Sequence, residues 1–151
     1  MISQQNPVKL FVSHAWDADE DYYRVFEFLE SARNFFYLNY SAPDRRPAGG
    51  KEAEREELRR QIQPVEAVIL LAPHHRRAPD LLEFQANFAK AADKPVLLMA
   101  SFGSTVGVPK ALLALADESV DWDERALIDA ILRQARHEDT QRWETIEFKL
   151  D

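Results

Sequence analysis

Cysteine is absent from the 151 residues, which removes disulfides, thiolate nucleophiles and cysteine zinc ligands at once. Glycine is nearly as scarce. None of the four glycines stands in a GxGxxG or GxxxxGKS/T arrangement, so a phosphate would have to be held by ordinary loop amides and helix N-termini. No apolar run approaches the ~18 residues of a membrane helix. The opening Met-Ile-Ser-Gln-Gln-Asn-Pro has neither the basic nor the apolar region of a signal peptide. An excess of positive charge is missing too: 19 basic against 26 acidic residues gives −7, which argues against nucleic acid as the main partner. The expectation is a cytoplasmic protein of one domain over residues 1–151, with no nucleic-acid and no membrane partner.

What is present is enough apolar chain for a core. At 46% hydrophobic and 30% charged residues the composition is that of a folded protein, and a chain of this length buries roughly two-thirds of its unfolded surface. Val8-Lys9-Leu10-Phe11-Val12-Ser13 reads as a buried strand. Tyr22, Val25, Phe26, Leu29 and Ala32 then form a helical stripe, with Asp17 or Asp19 available as its cap. Residues 35–41 suit a short edge strand, and 42–50 form a Pro- and Gly-containing loop. A charged helix follows over 51–62, with Leu58 and Ile62 on its apolar side and Glu56–Arg60 as an i,i+4 pair. Residues 65–72 are the most apolar strand, as expected in the middle of a parallel sheet.

The alternation continues. A helix is expected over 80–92, with Leu81, Phe84 and Phe88 on one side, then a strand over 95–100, a short helix over 110–116, a strand at 119–121 and a helix over 123–135. Residues 8–135 would thus form the core, and 136–151 an extension whose Ile146, Phe148 and Leu150 could add an edge strand. About five strand–helix alternations predict an α/β protein of three layers, flavodoxin-like, with a central, mainly parallel five-stranded sheet. Ligands of such sheets bind at the carboxyl ends of the strands.

Phosphotransfer of the receiver kind is excluded, because the first strand ends Ser13-His14 and the central one Leu71-Ala72-Pro73, with no carboxylate where a phosphate would go. The histidines are His14, His74, His75 and His137, and they form no HExxH or comparable set, so no metal is expected. His14 lies at the ligand-binding edge, as a contact or as a loop residue bonded to backbone. His74, His75, Arg76 and Arg77 make a basic knot at the same edge, read as a solvated loop or an anion-contacting rim. Asp17, Asp19, Glu20 and Asp21 suit the start of a helix.

Several motifs are more specific than the alternation. They are Phe11-Val12-Ser13-His14-Ala15-Trp16 with the Asp-rich turn into Tyr22-Tyr23, Asn39-Tyr40-Ser41-Ala42-Pro43, and Leu58-Arg59-Arg60-Gln61-Ile62-Gln63-Pro64 leading into Val68-Ile69-Leu70-Leu71. Lys94-Pro95-Val96 and Ala116-Asp117-Glu118-Ser119-Val120-Asp121-Trp122 complete the set. In this order and spacing, over about residues 8–132, the chain resembles the bacterial TIR-like family that includes the TIR subunit of the Thoeris anti-phage defence system.

The resemblance implies a flavodoxin-like TIR fold and chemistry on NAD as substrate or ligand, with no separate cofactor. Family enzymes break the bond between nicotinamide and ribose, and Thoeris members release a cyclic ADP-ribose-type signal for an effector. Nicotinamide already leaves as a cation's neutral product, so the need is for a carboxylate that stabilises the oxocarbenium-like ribose and orients its hydroxyls. In the family that carboxylate is a glutamate four residues beyond a large apolar residue. Here the apolar residue corresponds to Leu81 and the glutamate position is Gln85. The loss of one such group is expected to cost ~10²–10³ in rate. Glu83 is the nearest carboxylate, but at about 200° around the helix from position 85 it should face elsewhere.

Two functions are therefore expected as alternatives. One is an NAD-processing enzyme of antiviral signalling, with Ser13, His14, Trp16, Asn39, Tyr40 and Ser41 walling the pocket, Trp16 either stacking on a ring of the dinucleotide or serving as a core or interface residue, and Gln85 in the catalytic place. The other is a non-catalytic TIR-like module that binds a nucleotide or a protein: a second TIR-like copy, an effector or a phage component.

Overall fold

The computed structural model describes residues 2–103 and 107–140. Within them the chain runs β1 (Val8–Val12), α1 (Glu20–Glu30), β2 (Tyr37–Asn39), α2 (Gly50–Ile62), β3 (Ala67–Leu71), α3 (His74–Arg77), α4 (Pro79–Ala91), β4 (Val96–Met99), α5 (Lys110–Leu115), β5 (Glu118–Ser119) and α6 (Glu124–Arg136). The strands form one sheet of order β2-β1-β3-β4-β5, parallel at every pairing.

The apolar runs are explained by a sheet covered on both faces. Along β3, Ala67, Ile69 and Leu71 enter the core under α1 and α6, beside Val25, Leu29, Leu127 and Ile131. Val68 and Leu70 enter the opposite core, beside Leu58 and Ile62 of α2, Leu82 and Ala86 of α4 and Leu112 of α5. Successive side chains leave a strand on opposite sides, so a strand with apolar neighbours on both must be apolar throughout. The result is a three-layer, flavodoxin-like α/β fold.

Caps set the helix starts. Asp19 begins α1 by accepting the Tyr22 amide at 2.9 Å, and Asp123 begins α6 by accepting that of Ala126 at 2.9 Å. Removing the second cap with Asp123→Ala is expected to cost about 1 kcal/mol and lower the melting temperature by roughly 3 °C, read by thermal circular dichroism.

Several local expectations are corrected. The sheet-facing side of α4 is Leu82, Gln85, Ala86 and Ala89, one position on from the expected stripe. Leu81, Phe84 and Phe88 are only half-buried, with Phe84 stacked on Phe88 and lying under the guanidinium groups of Arg55 and Arg59 on α2. That aromatic spacing reports helix-on-helix contact rather than the sheet. The Glu56–Arg60 pair is replaced by i,i+3 pairs, Glu56 with Arg59 and Glu57 with Arg60. The 74–77 segment is a helical turn rather than a loop. The edge strand expected within 142–150 lies outside the described residues.

Candidate functional site

Strand order reverses between β1 and β3, because the chain steps outward from β1 to β2 and then returns past β1 to β3. In open parallel sheets that reversal is where a ligand crevice opens at the carboxyl edge. The residues reaching it here are Ser13 and His14 after β1 and His74 after β3, and all three are buried.

Ser13 begins one chain of hydrogen bonds. Its Oγ accepts the Leu71 amide at 2.8 Å, an acceptor role that leaves its proton for His74 Nδ1 at 3.2 Å. The opposite ring nitrogen, Nε2, donates to Asp19 Oδ2 at 3.0 Å. Asp19 is thus both the cap of α1 and the anchor of α3, and it also accepts from Arg77 at 3.4 Å. Burial holds the His74 pKa below its ordinary value despite the neighbouring carboxylate. A serine, a histidine and an aspartate in series invite comparison with a nucleophile and its base. This serine has no exposed surface and already holds a strand amide on its oxygen, so no acyl group can reach it; the series is a strut across the reversal point.

His14 anchors a second network. Trp16 N–H donates to His14 Nδ1 at 3.2 Å, which assigns the ring proton to Nε2. Nε2 donates to Gln61 Oε1 at 3.1 Å, and the same oxygen accepts from the Ala42 amide at 2.9 Å. His14 is therefore the neutral joint between the loops after β1 and β2. Burial pushes its pKa down to about 4, with the repulsion of His74 adding to the fall and the Gln61 bond, Asp17 and Asp44 opposing it.

Trp16 adopts φ 66°, a left-handed conformation uncommon for a side-chain-bearing residue. Its amide bond to His14, an edge-on ring contact with His14 at 4.9 Å and an indole N–H bond to Glu54 at 3.1 Å hold it there. Asn39 and Ser41 turn inward to Tyr22: Asn39 donates to the Tyr22 hydroxyl at 3.2 Å and accepts the Ser41 amide at 2.9 Å, while that hydroxyl bonds Ser41 Oγ at 2.8 Å. Tyr40 packs half-buried against the α2 and α4 side of the core.

Gln85 is fully buried on α4, and its amide is spent on one peptide unit of the opposing loop. Nε2 donates to the His14 carbonyl at 2.8 Å and Oε1 accepts the His14 amide at 3.3 Å. It thus satisfies the backbone at the end of β1, where no further strand bond does so. Glu83 pairs with His75 Nε2 at 2.6 Å. The sequence-derived wall residues are brought to one edge of the sheet, but they interlock with one another. Every buried side-chain nitrogen and oxygen among the described residues has a partner.

Sequence reasoning missed Gln61, Asp19 and His74 as the joints of this edge. Gln61 stands in the motif preceding Pro64 and Asp19 in a capping position, and neither has a local signature of its long-range partner. A cavity of about 350 Å³ opens one strand further along, at the ends of β3 and β4, lined by Pro73, His75, Arg76, Ser101, Val108 and Pro109 among others. Among the described residues, no group of three or more His, Asp or Glu is placed to hold a metal ion, and no helix is long and apolar enough to cross a membrane.

No protein-family model matches this chain, and no curated protein is significantly similar to it.

Proposed function

We propose that the chain is a TIR-like module of bacterial antiviral signalling that binds a nucleotide such as NAD without cleaving it. The observation that carries this reading is Gln85. Breaking the nicotinamide–ribose bond calls for an anion directed at the developing oxocarbenium ion. The side chain at that helical position is uncharged, buried and committed at both amide ends to His14. Glu83 is engaged by His75, which speaks against its serving as a substitute. Output would then pass through protein contacts in the cytoplasm, with a second TIR-like copy, an effector or a phage component.

Incubation of the purified protein with NAD, followed by chromatography of nicotinamide and by thermal denaturation, tests the proposal. The expected result is nicotinamide at the buffer background together with a ligand-dependent rise in melting temperature. Nicotinamide release proportional to protein concentration would restore the enzyme reading, and its loss in Glu83→Gln would name the carboxylate. No release and no thermal shift would leave a module that contacts proteins only, overturning the nucleotide half of the proposal.

A further inference from the structure

We infer that the cavity at the carboxyl ends of β3 and β4 is a binding site for a small organic phosphate, its phosphate on Arg76 and its body against Pro73, Val108 and Pro109. This inference stands on the cavity itself and does not need the NAD reading.

Position comes first. Parallel sheets offer ligands their carboxyl edge, and at the β1/β3 reversal that edge is closed by the Ser13–His74–Asp19 strut and the His14 joint. The opening that remains lies one strand gap along, between the residues that follow β3 and those that follow β4. At about 350 Å³ it falls within the usual range for small-molecule sites, roughly 300–1,000 Å³.

Charge selects the ligand. Among the described residues, no aspartate or glutamate lines the cavity. Two side chains of α3 near the opening are already engaged: His75 by Glu83 at 2.6 Å, and Arg77 by Asp17 at 3.1 Å and Asp19 at 3.4 Å. Arg76 lines the cavity and is exposed, and its guanidinium has no ion-pair or hydrogen-bond partner among the described residues. A planar guanidinium with all its donors free matches a phosphate in two parallel bonds, where a lone ammonium would offer only a point charge. Ser101, which follows β4, also lines the cavity and carries a hydroxyl able to donate. Pro73, Val108 and Pro109 offer rigid apolar surface, which favours a ligand with a flat or hydrocarbon body over a bare anion.

Calorimetric titration with 5′-AMP, adenosine and inorganic phosphate tests this on the full chain, on Arg76→Gln and on Lys94→Gln. The last variant removes the same charge beside the amino end of β4, away from the cavity. AMP is expected to bind the parent at least about tenfold more tightly than either fragment, and Arg76→Gln to weaken it by roughly tenfold or more. Lys94→Gln should leave it within about twofold. Equal losses in the two variants would reduce the effect to net charge and overturn the site. Adenosine binding as tightly as AMP would remove the role of Arg76, and phosphate binding as tightly as AMP would remove the role of the apolar wall. Absence of AMP binding by a parent whose circular dichroism shows it folded would sink the inference, whatever the result with NAD.

Discussion

Glutamate in place of Gln85 is expected to lower the melting temperature by roughly 10 °C at neutral pH, a loss of about 3–5 kcal/mol. The glutamine donates to the His14 carbonyl at 2.8 Å and accepts its amide at 3.3 Å. An ionised glutamate keeps the acceptor role but sets a carboxylate oxygen against the carbonyl, in a site with no exposed surface and no cation bonded to it. Only the protonated acid can reproduce both bonds. The carboxyl of the variant is therefore held in its neutral form, with its folded-state pKa raised above the unfolded value. The folded variant binds the extra proton, so its stability falls as pH rises through that window. Thermal denaturation of parent and variant near pH 4.5 and pH 8 reads this directly, the gap widening at the higher pH. A Gln85→Glu protein as stable as the parent at pH 8 would show that the side chain does not hold the end of β1. Position 85 holds the backbone at the end of β1 through both ends of its amide.

Acidification is expected to remove about 3 kcal/mol of stability between pH 6.5 and pH 4 through His14 alone. Its pKa falls from the ordinary 6.5 to about 4 in the folded protein. Between those values the unfolded chain holds a proton that the folded one lacks, so unfolding is favoured as pH drops. The contribution is complete above pH 6.5 and exhausted below about 4. Protonation would also convert Nδ1 into a donor facing the Trp16 N–H, breaking the joint between the two loops. His74, whose pKa is also lowered by burial, adds in the same direction. Urea denaturation at intervals across this range should show the loss, and His14→Gln, which cannot titrate, should flatten the curve while leaving the His74 share. A His14→Gln curve parallel to the parent's would exclude His14 as the titrating group.

The fold was more legible than the site for a physical reason. Strand and helix periods are local, and apolar runs such as Val68 to Leu71 announce a sheet buried on both faces wherever they occur. Caps are equally local, and Asp19 and Asp123 stand three residues before the amides they bind. The buried stripe on α4 lies one position from the expected one because Phe84 and Phe88 outweigh Ala86 and Ala89 in any hydrophobic count. Large aromatics fill the wide gap between helices, whereas small alanines allow α4 to approach the sheet.

The site depended on contacts that no period carries. Ser13 meets His74 across 61 positions, His14 meets Gln61 across 47, and Gln85 meets His14 across 71. By itself the amino-acid order determined that the chain alternates strand and helix, that it has no thiol or glycine-rich phosphate loop, and that an amide stands at position 85. Whether that amide looks into a cleft or onto a peptide group was decided by strand order, which sets β1 against β3, and by the packing of α4 over them. Local energetics choose elements; only the assembled sheet chooses neighbours. The interlocked edge at β1 and the open one at β3 and β4 are consequences of that second choice.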